Sequence, residues 1–204
     1  MSGVARAELP PANTVPHDPT RPEKAPKPKI ESGFEGRSWR TSQPQLLVLL
    51  PESQPAEGGL SVEREVMGRP ALVAYFFADG FGLSRVQILF KDSLDGPADA
   101  LRIFGEVDAE LTKKYGLPTQ SSEYWTVKPN KMTEQARQQS LVSGGLQIAN
   151  TWAGTKTWVI LSVGATAAQD APGTSLMFLS TDAPMTNDFL KQAGAGRKTL
   201  KTDP

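Results

Sequence analysis

From residue 60 to residue 90 apolar and polar side chains alternate with a period of two, interrupted at two glycine-bearing turns. Over 60–66, Leu60, Val62 and Val66 fall on one side and Ser61, Glu63 and Glu65 on the other, the pattern of a half-exposed strand. Met67-Gly68-Arg69-Pro70 reads as a turn. Over 71–78, Val73, Tyr75 and Phe77 oppose Leu72 and Phe76, so both sides are apolar, as in a central strand. Asp79-Gly80 signals a hairpin, Gly82 adds a second position tolerant of positive φ, and 83–90 returns with Val86, Ile88 and Phe90 inward. Residues 60–90 therefore predict a three-stranded antiparallel meander.

The period then lengthens. Leu101, Phe104, Val107, Leu111 and Tyr115 recur every three or four residues, with Arg102, Glu106 and Glu110 outside that stripe, which predicts a helix over 97–115. Pro97 suits its first position, Lys113 and Lys114 complement its C-terminal dipole, and Gly116 followed by Leu117-Pro118 ends it. Four strands follow, at 123–127, 146–152, 157–163 and 174–181, with Gly154 and Gly173 in the later turns. A shorter helix through Leu46, Leu47 and Leu50, capped by Thr41 or Ser42 and ended by Pro51, precedes the meander, and a last one is expected over 184–192. The order helix, three strands, helix, four strands reads as two tandem helix-plus-meander units. The fold class expected is α+β, with one antiparallel sheet and the helices on one face.

Composition sets the limits of this domain. Seven prolines and the charges of Arg21, Lys24, Lys27 and Lys29 crowd the first thirty residues, where large apolar groups are scarce. Such a segment buries too little to offset its ordering entropy, so 1–32 is expected to be a disordered spacer, 33–193 the domain and 194–204 a flexible tail. Ala5-Arg6-Ala7 has the small-x-small form of a signal-peptidase site. The expected location is thus the periplasm or envelope if an upstream export signal was lost, and the cytoplasm otherwise. No apolar run approaches the roughly 20 residues that span a bilayer.

Charge and chemistry narrow the function. The chain has 204 residues, 22 Lys+Arg against 22 Asp+Glu, one His and no Cys. Its basic groups form no stripe with interleaved aromatics, which argues against nucleic acid. With no Cys, and with the one histidine, His17, inside the proline-studded N-terminal segment, Cys/His zinc sites, Ser-His-Asp and Cys-His nucleophiles and disulfides are excluded. Asp92, Asp95, Asp99, Glu106, Asp108 and Glu110 offer carboxylates for glycoside hydrolysis, but they read better as charges around a helix start and on its solvent face. The turn Asp92-Ser93-Leu94-Asp95-Gly96 lacks the distal acid of a calcium loop, and Gly194-Ala195-Gly196-Arg197-Lys198 has no helix after it to aim amides at a phosphate. No metal ligands, cofactor or catalytic residues are therefore assigned.

The run Phe34…Trp39-Arg40-Thr41-Ser42, the block 75–80 with Leu83, the helix end 111–118, and Trp125 with 157–161 together resemble small bacterial envelope proteins similar in layout to β-lactamase-inhibitor-like and outer-membrane-assembly-lipoprotein folds. That resemblance covers about residues 34–181 and implies a non-enzymatic binding or scaffold role with a protein partner. The residues themselves point to the same surface. Residues 128–145 form a polar excursion longer than a hairpin needs, with a short helix possible over 133–141, and long loops on rigid sheets commonly bind. The contact residues expected are Trp125, Lys128, Asn130, Gln135, Arg137 and Trp152, with Trp158 joining the other strand tryptophans if they share one face. Two alternatives stay open, a carboxylate- or Ser/Lys-dependent hydrolase and an intracellular immunity or adaptor protein.

Overall fold

A computed structural model describes residues 29–126, 133–165 and 172–183, and these form an α+β fold. Eight strands make one antiparallel sheet: β1 (Gln54–Ala56), β2 (Gly59–Val66), β3 (Arg69–Ala78), β4 (Gly82–Phe90), β5 (Gln120–Trp125), β6 (Leu146–Ala153), β7 (Thr157–Ala165) and β8 (Pro172–Ser180). Their order across the sheet is β1-β2-β3-β4-β8-β7-β6-β5. The first and last four strands are thus two halves joined where β4 pairs with β8. Three α-helices accompany them, α1 (Gln43–Leu49), α2 (Pro97–Tyr115) and α3 (Glu134–Val142). The α3 insertion between β5 and β6 has no counterpart among the first four strands. Residues 184–192, where a last helix was expected, lie outside the described residues.

Local chemistry accounts for the boundaries. Ser42 and Gln45 form a capping box at α1, with Pro44 in its first turn. Met67 and Gly68 both take positive φ, 53° and 71°, and close the two-residue turn between β2 and β3. The strand resumes at Arg69, so the turn is shorter than the sequence pattern suggested. Gly82 has φ +98°, and a Cβ there would lie 2.6 Å from the Arg40 carbonyl oxygen, which fixes glycine where β4 starts beneath the entering chain. The segment 54–56, with no apolar alternation, pairs with β2 as β1, a strand that the pattern did not announce.

One face of the sheet is the core. Cross-strand partners Leu60 and Tyr75, Val73 and Ile88, Val86 and Phe178, Val159 and Phe178, and Leu161 and Leu176 all point to it, and all are buried. Against them α2 places Ala100, Ile103, Val107 and Leu111, while Leu101, Phe104 and Tyr115 are only partly buried. The buried line is therefore rotated toward 100, 103, 107 and 111 from the expected stripe, because α2 also abuts α3 through the Leu141 cluster. Three large side chains, Ile103, Val107 and Leu111, at about 1.5–3 kcal/mol each make this contact a principal source of stability.

Polar bonds fix α2 in that position. Near its start the buried Thr174 hydroxyl donates to the Ala100 carbonyl at 2.6 Å, and the Thr174 N–H donates to Ser93 Oγ at 2.8 Å. Midway, Asn150 Nδ2 donates to Asp108 at 2.6 Å. At its end Trp152 Nε1 donates to the Gly116 carbonyl at 2.8 Å, satisfying a group that a helix terminus leaves open. Outside, Arg69 bridges Asp92 and Glu106, and Arg102 bridges Asp99 and Glu106. The Arg102 hydrogen bond holds the Glu106 carboxyl below its ordinary range.

The entering chain is pinned as well. Thr157 Oγ1 accepts from Trp39 Nε1 at 2.9 Å and donates to the Glu31 carbonyl at 2.6 Å, while Ile30 packs on the core. Residues 30–32, assigned by composition to the spacer, are in contact with the domain through these bonds.

Two substitutions probe this packing. Leu111→Ala should lower unfolding free energy by about 2–5 kcal/mol in urea titration. Thr157→Val keeps the volume but leaves the buried indole N–H of Trp39 without a partner, and should cost about 1–3 kcal/mol in the same measurement.

Candidate functional site

The sequence-expected residues gather in part. Thr133 caps α3, its hydroxyl accepting from Ala136 N–H at 3.1 Å, and Leu141 turns inward among Ala100, Leu146, Ile148 and Val163. This seats α3 beside β5, where Arg137 pairs with Glu123 at 2.7 Å. Trp125 Nε1 donates to the same carboxylate at 3.3 Å, and the ring rests on the Leu141 cluster. Trp125 and Arg137 thus form one corner with Glu123, and Gln135 is exposed on α3. Lys128 and Asn130 lie outside the described residues.

Trp152 does not belong to this corner. It is fully buried, and its indole N–H is taken by the end of α2, so its role is packing and capping rather than contact. The tryptophans do not share a face either. Trp125 pairs with Leu146 and Trp152 with Val159, both on the helix-covered side, whereas Trp158 pairs with Ala153 and Leu179 on the other. The register across the β6–β7 turn decides this, since one residue of offset reverses the face.

The two sheet edges differ. The β1 edge has three residues, one of them Pro55, and so offers little to another strand. The β5 edge has six residues, none of them proline or lysine, and all are exposed except half-buried Trp125. Thr126 N–H donates to Gly145 O, and antiparallel alternation then gives Tyr124 and Ser122 the bonds to β6 and turns the N–H groups of Ser121, Glu123 and Trp125 outward. Glu123 carries the one charge on this edge, and Arg137 neutralises it. Tyr124 is 54% exposed on the opposite face of the strand from Trp125.

Among the described residues no helix lies over the second face of the sheet. Leu72, Phe76, Leu89, Trp158, Ile160 and Met177 are half-buried there, joined by the pairings of Leu72 with Leu89 and Ile160 with Met177. In their midst is Arg85, paired across to Phe76 on β3 and Leu179 on β8. The β3–β4 register shifts between Phe76 and Phe77, so Ser84 is the extra residue of a bulge, and its hydroxyl donates to the Phe76 carbonyl at 3.2 Å. The Arg85 guanidinium stacks 3.7 Å from the Phe76 ring centre, its Nε is buried without a partner, and burial holds its pKa below the ordinary value. A cavity of about 420 Å³ opens here.

The acidic residues gather around cations and form no open carboxylate pair among the described residues. Asp92, Asp99 and Glu106 are engaged by Arg69 and Arg102, and Asp108 by Asn150. Among the described residues no group of three or more His, Asp or Glu is placed to hold a metal ion. No protein-family model, curated protein or solved structure matches this chain, so the surfaces are interpreted through their own geometry.

Arg85 was missed by sequence reasoning. The signal available was a lone charge inside an apolar central strand, next to a Leu83-Ser84 break in alternation. Because this cation has no ionic partner among the described residues, Arg85→Met should leave the urea unfolding free energy within about 1 kcal/mol of wild type, the loss of stacking on Phe76 offset by the relief of burying charge.

Proposed function

We propose that this protein is a non-enzymatic binding or scaffold protein that takes an extended segment of a protein partner as an added strand on β5. The observation carrying this reading is the asymmetry of the edges: one is short and proline-bearing, the other long, exposed and free of the usual blocking residues. An unprotected edge is an aggregation hazard that proteins normally suppress, so its retention favours a use. Main-chain bonds to Ser121, Glu123 and Trp125 supply affinity, and side chains on the two faces of the strand, Tyr124 and Trp125, supply selectivity. Arg137 on α3 reaches Glu123 of β5, and exposed Gln135 on the same helix adds to the recognition surface. Following the resemblance in layout, we place this capture in a bacterial cell envelope.

Proline substitutions separate strand addition from folding. Ser121→Pro removes an outward N–H and should abolish retention of the partner from native-host extract, with the urea unfolding free energy changed by less than about 1 kcal/mol. Ser122→Pro removes an N–H bonded within the sheet and should cost about 1–3 kcal/mol. Retention of the same partner by Ser121→Pro protein refutes strand addition.

A further inference from the structure

We infer that the bulged pocket around Arg85 is a binding site for an apolar monocarboxylate. The observations behind it are independent of the β5 edge, which lies four strands away. The cavity, about 420 Å³, falls within the roughly 300–1,000 Å³ of small-molecule sites. Phe76, Phe77, Leu179 and Ala183 give it apolar walls, and the bulged Ser84 lines it beside Arg85.

Of the three described polar side chains that line this pocket, Glu57, Ser84 and Arg85, one is a cationic fork. Arg85 is the only cation among the described lining residues; it is in no ion pair with any described residue, and its Nε is buried without a partner there. Stacking on Phe76 fixes the guanidinium plane, so its donors are oriented before a ligand arrives and little rotamer entropy remains to be lost. A planar fork of donors matches a carboxylate in bidentate geometry. One cation, with no helix N-terminus among the described lining residues, neutralises a single charge, which favours a carboxylate over a doubly charged phosphate. Glu57, the only acid in the lining, is exposed and makes no ion pair with Arg85. It excludes a second negative group from the rim. The ligand class that satisfies all of these is an aryl or alkyl body ending in one carboxylate.

Calorimetric titration of the full chain with naphthoate, its neutral twin naphthalenemethanol and inorganic phosphate tests this assignment. Naphthoate should bind saturably, at least about tenfold more tightly than the alcohol, since a charge-assisted bond is worth about 1.5–3 kcal/mol. Arg85→Met should bring naphthoate down to the affinity of the alcohol while leaving the alcohol unchanged. Arg85→Lys, which keeps charge without the fork, should fall between. Ser121→Pro should bind naphthoate as wild type does, so failure at one site is distinguishable from failure at the other. Equal binding of acid and alcohol, wild-type affinity in Arg85→Met, displacement of naphthoate by equimolar phosphate, or absence of saturable binding each overturns the assignment. The last outcome includes occupation of the pocket by a carboxylate of the chain itself.

Discussion

One long helix laid on one side of a wide sheet is the constraint from which the rest of this structure follows. Eight strands span about 34 Å at the usual inter-strand spacing, and a 19-residue helix is about 28 Å long. With α1, α3 and the entering chain beside it, α2 can cover one face of the sheet. The bonds from Thr174, Asn150 and Trp152 hold it there, two of them to carbonyls of α2 and its cap that would otherwise lie close to apolar surface. The helix lies against β7 and β8, next to the β4–β8 pairing that joins the two halves of the sheet.

The consequence is a second face whose residues are half-buried by their neighbours in the sheet. Its alternation does not resemble that of an ordinary solvated face. Leu72, Leu89, Ile160 and Met177 are apolar, and Arg85 stands among them with a stacked ring in place of a counter-ion. A cation held this way costs desolvation and recovers little of it inside the protein. The bulge beside it follows a similar logic, since an extra residue in a central strand disrupts the ladder locally and re-aims the flanking side chains. Both features cost stability locally, and both are explained if an anion completes the site.

Edge geometry supplies the other functional asymmetry. Closing a sheet removes its edges, but an open sheet leaves two, each lined with unpaired main-chain groups. In this protein the β1 edge ends in three residues with Pro55, while β5 runs its full length in the open with its charge cancelled by Arg137. The side of the molecule that carries α3 and Trp125 is thus the side on which a backbone can be recognised. The proposed protein contact and the proposed ligand pocket use different surfaces, and nothing in the geometry requires them to be coupled.

The sequence by itself determined the elements whose signals are local. The two-residue period over 60–90, the α2 stripe bounded by Pro97 and Gly116, and the Ser42 cap each depend on neighbours a few residues away, so the meander and both helices were legible. The short helix allowed over 133–141 forms as α3, and the structure adds Thr133 as its cap. Strand β1, the β4–β8 pairing that joins the two halves, the register that buries Trp152 and turns Trp158 to the far side, and the isolation of Arg85 were decided by tertiary structure. Each depends on which residue lies opposite across a hydrogen-bonded pair, and that pairing is set by chain closure over tens of residues. A periodic pattern says which side chains share a face of their own strand, but only assembled strands say what that face meets.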